Sequence, residues 1–102
     1  MPSKKGKIMY RQEFPDYDGE FFILDGWEDN SWHNDTCPHI EKRSTNGTVR
    51  AYVWQDYADP SKREYENQKR YLLQIHVNYD LVFHYETDDL EEIKRLAEGV
   101  QI

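Results

Sequence analysis

The sequence predicts an α+β fold: a single small domain with a mostly antiparallel sheet of about five strands and a C-terminal α-helix packed on one face. Three observations support this prediction: an Asn-Gly turn signal at residues 46–47, an alternating apolar pattern over residues 71–86, and an amphipathic stripe over residues 90–100. A chain of 102 residues with 15% aromatic side chains can build one modest core. We expect residues 1–102 to form one domain, with residues 1–6 flexible.

The N-terminal third is predicted to contain two strands and a loop. Residues 7–14 and 20–25 read as strands, joined by a Pro-Asp-Tyr-Asp-Gly cluster of turn formers. Residues 21–24 are continuously apolar, which suits a strand covered on both faces. Residues 27–39 are rich in Asn, Asp, Ser and Pro, so we expect a loop there.

Residues 39–54 give the clearest hairpin signal. Asn46 and Gly47 favour a type I′ turn, because both residue types tolerate a positive φ. Closing that turn predicts four cross-strand pairs, which are His39–Trp54, Ile40–Val53, Glu41–Tyr52 and Lys42–Ala51. This register places the last residue of the preceding loop beside Trp54 on a sheet.

Residues 71–86 predict a second hairpin. A three-residue loop at residues 78–80 pairs Leu73 with Tyr85, Ile75 with Phe83 and Val77 with Leu81, all on one buried face. The same register puts His76 opposite Val82 and His84 opposite Gln74 on the other face. The two histidines are then diagonal neighbours about 7 Å apart at the backbone.

Two helix starts are marked by capping residues. Asp59 and Pro60 predict a short helix, with Asp59 as cap and Pro60 at the first helical position. For the C-terminal helix, Thr87 or Asp88 is the predicted cap, Asp88 and Glu91 form a capping-box-like pair, and Gly99 is the predicted end. The apolar stripe of this helix consists of Leu90, Ile93, Leu96, Ala97 and Val100.

Acidic residues are concentrated in one part of the chain. The net charge is −7, and residues 12–41 contain nine carboxylates and no Lys or Arg. The nine are Glu13, Asp16, Asp18, Glu20, Asp25, Glu28, Asp29, Asp35 and Glu41. Strong acidity repels phosphate backbones, so we expect a protein partner with a basic surface and no direct nucleic-acid binding. A homodimer is an open alternative.

The single cysteine excludes an intramolecular disulfide, and no signal peptide or membrane span is recognisable in the sequence. We therefore expect a cytoplasmic protein that does not bind a membrane.

Residues 27–39 hold the densest set of chemically versatile side chains, with two tryptophans, two histidines and the only cysteine. We predict a binding surface in this segment, because tryptophan combined with polar groups is typical of recognition sites. The predicted binding residues are Trp27, Glu28, Asp29, Trp32, His33, Asp35, His39 and, across the hairpin, Trp54.

His33, Cys37 and His39 are the candidate metal ligands, because imidazole and thiolate both bind zinc. Asp35, His76 or His84 could complete a tetrahedral site. The spacing matches no established zinc pattern, so ordinary polar contacts are favoured and no cofactor is expected, with zinc as the alternative.

Cys37 is also a candidate nucleophile, because His33 and His39 are near it in sequence. The surrounding acids oppose this role, since they raise the pKa of a thiol. No arrangement of nucleophile, base and oxyanion donor is recognisable, and we expect a protein that is not an enzyme.

We therefore expect a non-catalytic acidic binding module that docks a basic surface of another macromolecule. The alternative is a small metal- or ligand-binding domain that uses His33, Cys37 and His39. In size and charge alone, the chain resembles accessory proteins encoded by phages and other mobile elements, and this resemblance identifies no family.

Overall fold

A computed structural model describes residues 8–65 and 67–102, and its centre is a five-stranded antiparallel sheet. The strands are β1 (Glu28–Asp29), β2 (His39–Arg43), β3 (Val49–Gln55), β4 (Tyr71–Val77) and β5 (Asp80–Thr87), and they are neighbours in that order. The helices are α1 (Tyr10–Glu13), α2 (Leu90–Glu98) and a single 3₁₀ turn at Pro60–Lys62. The predicted α+β class, with a C-terminal helix on a five-stranded sheet, is confirmed. In the part of the chain that the structure describes, no helix has the length and apolarity to cross a bilayer.

The core lies between α2 and one face of the sheet. Ile40, Val53 and Leu73 come from three adjacent strands and are at most 2% exposed. Ile93 and Ala97 of the predicted helix stripe are fully buried against this cluster. Alternate residues of a strand point to opposite faces, so burying these residues turns their sequence neighbours to the outer face. That second face carries the candidate site.

The β2–β3 hairpin has the predicted register, and all four predicted pairs are present. The predicted turn type is wrong. The amide of Gly47 donates to the carbonyl oxygen of Ser44, so Thr45 and Asn46 occupy the centre of the turn. Among the residues of this turn, only Gly47 has a positive φ, at 76°. The register is unchanged because Ser44 and Val49 still close the ladder.

The β4–β5 hairpin has a shorter turn than predicted. Asn78 and Tyr79, with φ of 51° and 72°, form a two-residue turn, so Val77 pairs with Asp80 instead of Leu81. A β-bulge then leaves Val82 without a partner and restores the predicted pairs, which are Ile75–Phe83 and Leu73–Tyr85.

The predicted burial of β5 is also wrong. Leu81 is 49% exposed, Phe83 43% and Tyr85 37%. These residues lie on the edge strand of the sheet, beyond the side chains that α2 buries. Leu81 pairs with His76 instead of Val77, so the six apolar residues of this hairpin share neither one face nor one core.

Neither of the two predicted N-terminal strands forms in the described residues. Residues 1–6, which were predicted to be flexible, and residue 7 lie outside the described residues. Residues 10–13 are helical because the Asp29 carboxylate accepts from the amides of Met9 and Tyr10, both at 2.7 Å, and so caps α1. Residues 20–25 are irregular, and Phe22 bonds through both its amide and its carbonyl to the buried amide side chain of Gln55.

The cap of α2 is Asp89, one residue later than predicted. Its carboxylate accepts from the amides of Glu91 and Glu92, while Thr87 Oγ1 donates to Glu92 Oε1 at 2.6 Å. Asp88 instead accepts from the amide of Arg70. The end of the helix at Gly99 and the start of the 3₁₀ turn at Asp59-Pro60 are confirmed.

Candidate functional site

The outer face of the sheet, opposite α2, carries a groove of about 470 Å³. β2, β3 and β4 each contribute two alternate side chains to it, and the segment between β1 and β2 contributes the rest. We call it the aromatic groove, and its lining residues are Asn30, Trp32, Asp35, His39, Glu41, Tyr52, Trp54, Gln74 and His76.

Four rings form the floor of the aromatic groove. The ring centroids of His39 and Trp54 are 4.3 Å apart, and those of Tyr52 and Trp54 are 6.0 Å apart in nearly parallel planes. His76 meets Tyr52 edge-on at 5.3 Å. Trp54 Nε1 donates to Gln74 Oε1 at 3.0 Å, which fixes the indole on the sheet. The floor is therefore held in place before any ligand binds.

The carboxylates of the groove lie around this floor. Glu41 Oε1 accepts from Asn30 Nδ2 at 2.9 Å, and its other oxygen is 3.4 Å from Arg43 Nε. Burial opposes ionisation of Glu41, but the nearby His39 ring, the hydrogen bond from Asn30 and the charge of Arg43 outweigh it. The net effect is a pKa below the ordinary value. Glu28 lies directly opposite Glu41 on β1, so a second carboxyl group lies beside the groove.

His39 is the most enclosed polar residue of the groove, with 5% of its surface exposed. Its Nε2 lies 3.8 Å from Glu41 Oε1, and its buried Nδ1 has no hydrogen-bond partner among residues 8–65 and 67–102. The ring is held mainly by packing against Trp54 and Tyr52.

Half of the predicted binding residues meet in this groove. Trp32, which is 53% exposed, joins Asp35, His39 and Trp54 there. Glu28 is half-buried on the neighbouring edge strand.

The other predicted binding residues serve elsewhere. Trp27 is 2% exposed and belongs to the core, so its predicted binding role is replaced by a packing role. Asp29 is buried and already accepts from Met9, Tyr10 and Ser31, which makes it a structural group as well. His33 is exposed, and Nδ1 of its ring lies 2.7 Å from Glu13 Oε1.

The three candidate metal ligands do not converge. Within the described residues, no group of three or more His, Cys, Asp or Glu side chains could hold a metal ion. His33 is turned toward Glu13, and His39 packs against Trp54 with the two rings tilted by 36°. Of the two other histidines, His84 pairs with Gln74 as predicted, and its Nε2 lies 3.1 Å from Glu86 Oε2. His76 pairs with Leu81 across the bulge instead of with Val82.

Cys37 lacks the properties of a nucleophile. It is 2% exposed, and burial and then the charge of Asp56 raise the pKa of its thiol far above the ordinary value. The thiol is therefore protonated at neutral pH, and a protonated thiol is a poor nucleophile.

The acidic stretch does not form one uniform patch. Glu13, Asp16, Asp18, Asp29 and Glu41 each accept hydrogen bonds from the protein itself. Asp18, for example, accepts from the amides of Ala58 and Asp59, which ties the N-terminal segment to the chain after β3. Much of the acidity thus holds irregular segments together, and of the nine carboxylates only Asp35 and Glu41 line the aromatic groove.

Comparison with known proteins adds no relative to this description. No protein-family model matches the chain, and no curated protein or solved structure matches it either.

Proposed function

We propose that this chain is a non-catalytic binding module that docks a basic surface of a protein partner, with the aromatic groove receiving a lysine or arginine side chain. The observation that carries the proposal is the combination of exposed rings and carboxylates in one groove. Trp32 and Trp54 offer ring faces, and Asp35 and Glu41 offer carboxylates to the same volume.

Cations are attracted to such a groove for two separate reasons. The face of an indole or phenol ring attracts a cation by about 0.5–1 kcal/mol at an exposed site and about 2 kcal/mol when water is excluded. A guanidinium can also stack on an aromatic ring and bond a carboxylate through two parallel N–H groups. Arginine satisfies both requirements at once, so it is the side chain that fits this groove best.

The overall charge supports the same kind of partner. A net charge of −7 on 102 residues attracts basic proteins at long range and raises their association rate. The fixed floor adds affinity, because a preorganised surface loses little conformational entropy on binding.

The direct test is a titration of labelled protein with a Gly-Arg-Gly peptide, followed by NMR of the indole N–H signals. We expect saturable shifts at Trp32 and Trp54, and weaker binding in Trp32→Ala and Glu41→Gln. Tyr65→Ala is the matched control, because Tyr65 is an aromatic residue that is 64% exposed and does not line the groove. Shifts that spare both indoles, or an equal loss in Tyr65→Ala, would contradict the proposal.

Salt dependence gives an independent test. Screening shortens the range of charge interactions from about 14 Å at ~50 mM salt to about 6 Å at ~300 mM. We expect the affinity for the peptide to fall over this range. An affinity that does not change with salt would rule out the carboxylates as the source of binding.

A further inference from the structure

We propose that a second pocket on the outer face, of about 220 Å³, binds a carboxylate group of the same partner. It lies between the turns of the two hairpins, and we call it the Arg50 pocket. None of its eight lining residues is acidic, although the chain as a whole carries 20 carboxylate side chains.

Arg50 is the only lysine or arginine that lines this pocket. Its Nε is shielded from solvent and has no hydrogen-bond partner in the part of the chain that the structure describes. Arg43 on β2 pairs directly with Arg50 on β3. Arg43 differs from Arg50 in having a partner, because its Nε lies 3.4 Å from Glu41 Oε2. The charge of Arg43 is therefore paired with a carboxylate, whereas no carboxylate among the described residues forms an ion pair with Arg50.

Tyr79 is the second observation. It occupies a turn position with φ of 72°, where a residue without a side chain is strongly preferred. The side chain gains no burial there, since 83% of the residue is exposed. Its ring centroid lies 5.6 Å from Cζ of Arg50. A strained, exposed aromatic residue beside the guanidinium indicates a role in the pocket, because strain retained without packing is typical of functional positions.

The rest of the lining supplies neutral donors. Asn46 uses its side-chain oxygen to accept from Ser44 Oγ and from the amide of Thr48, so its Nδ2 group remains as a donor. The side chain of Asn78 also lines the pocket. One guanidinium surrounded by amide groups is the donor set that an oxyanion requires.

The choice of a carboxylate follows from charge and position. The net charge of −7 repels polyphosphates, whereas a single carboxylate within a basic partner brings no such repulsion. Tyr52 and His76 line both the Arg50 pocket and the aromatic groove, so the two sites are contiguous. One partner can thus place a cation in the groove and a carboxylate beside Arg50. The identity of the partner rests on the proposed function, but binding of the anion does not.

The test uses sodium acetate as the probe, with sodium chloride at the same ionic strength as reference and sodium phosphate as a second arm. NMR follows the Nε–H signal of Arg50 and the backbone amides of Thr48 and Asn78. We expect saturable shifts with acetate that are absent with chloride. Arg50→Gln should abolish them, and Arg43→Gln should retain them.

Three results would overturn the proposal. Shifts with acetate that equal those with chloride, or that persist in Arg50→Gln, exclude the site. Saturation by phosphate without saturation by acetate excludes the carboxylate assignment. If Arg43→Gln loses the acetate-induced shifts to the same extent as Arg50→Gln, general surface charge explains the effect and the pocket does not.

The variant Tyr79→Gly distinguishes the effect of Tyr79 on acetate binding from its effect on the stability of the turn. This change relieves the strained φ, so we expect a higher melting temperature together with weaker acetate binding. A higher melting temperature with unchanged acetate binding would contradict the role of Tyr79. Neither Arg50→Gln nor Tyr79→Gly alters Trp32 or Trp54, so failure here leaves the peptide titration of the aromatic groove as a separate test.

Discussion

His39 and Trp54 face each other directly across β2 and β3, with their ring centroids 4.3 Å apart. His39 is the last residue of the segment richest in functional side chains, and Trp54 is held by Gln74 from the next strand. The aromatic groove is therefore built by sheet register, and the preceding segment adds Trp32 and Asp35 at its side. This arrangement leads to predictions that separate structural residues from binding residues.

The tryptophans should differ sharply in their contribution to stability. Trp27→Ala removes a core side chain that is 2% exposed, and we expect a loss of about 3–5 kcal/mol in the free energy of unfolding. Trp32→Ala alters a side chain that is 53% exposed, and the change should stay within about 0.5 kcal/mol. Urea denaturation followed by circular dichroism measures both. Similar losses for the two variants would show that Trp32 also belongs to the fold.

Asp29→Asn should destabilise the N-terminal segment. The carboxylate accepts from the amides of Met9, Tyr10 and Ser31, and an amide side chain cannot replace all of these bonds. Hydrogen bonds to charged groups contribute about 1.5–3 kcal/mol, so we expect a loss of about 2–3 kcal/mol in urea denaturation. Asp25→Asn is the control, because Asp25 is exposed. Equal stability of the two variants would refute the capping role of Asp29.

Glu41 should contribute to acid sensitivity in a defined direction. Its pKa in the folded protein is lowered from 4.5, so its contribution to stability is present above pH 4.5 and is lost as the pH falls through the folded value. Glu41→Gln should therefore melt at a lower temperature than the wild type at pH 7, and this difference should shrink below pH 4.5. Melting curves between pH 7 and about pH 3 measure the difference. A difference that does not vary with pH would contradict this origin.

β5 should mediate weak self-association, which is the homodimer that the sequence analysis left open. It is an edge strand with Leu81, Val82 and Phe83 exposed, and such strands readily pair with another strand. We predict antiparallel pairing of two β5 strands, and Phe83→Lys should abolish it. Sedimentation velocity at increasing concentration tests this. Ile8→Lys is the control at an exposed apolar residue elsewhere, and a chain that stays monomeric throughout would refute the prediction.

Local patterns in the sequence were sufficient to predict the four strands β2 to β5, but not β1, which lies in the segment predicted to be a loop. The register of β2 and β3 follows from a turn signal and a two-residue periodicity, and a slip by one residue would turn Ile40 and Val53 out of the core. The N-terminal third could not be predicted in this way. The cap of α1 comes from Asp29, and the partner of Phe22 is Gln55, 33 residues away. No local pattern reveals such distant partners.

The site was predictable to a similar extent. His39 and Trp54 were found because they combine chemical character with a predicted register. Glu41 and Gln74 were not chosen as binding residues, although the predicted registers already placed each on the outer face. Trp27 was assigned to the binding surface because tryptophan combined with polar groups is typical of recognition sites, whereas its side chain packs under the sheet. The residue types were enough to locate the segment that contributes to the site. The backbone geometry was needed to decide which of its side chains line the groove and which belong to the core.

The burial of Cys37 also has a practical use. A protonated thiol that is 2% exposed cannot react with an alkylating reagent until the chain around it opens. Its alkylation rate therefore reports how often the structure around it opens, and Cys37 lines a cavity together with Asp35 and Trp54 of the groove. A ligand that closes the groove should slow this reaction, which gives a simple chemical assay for finding the natural partner.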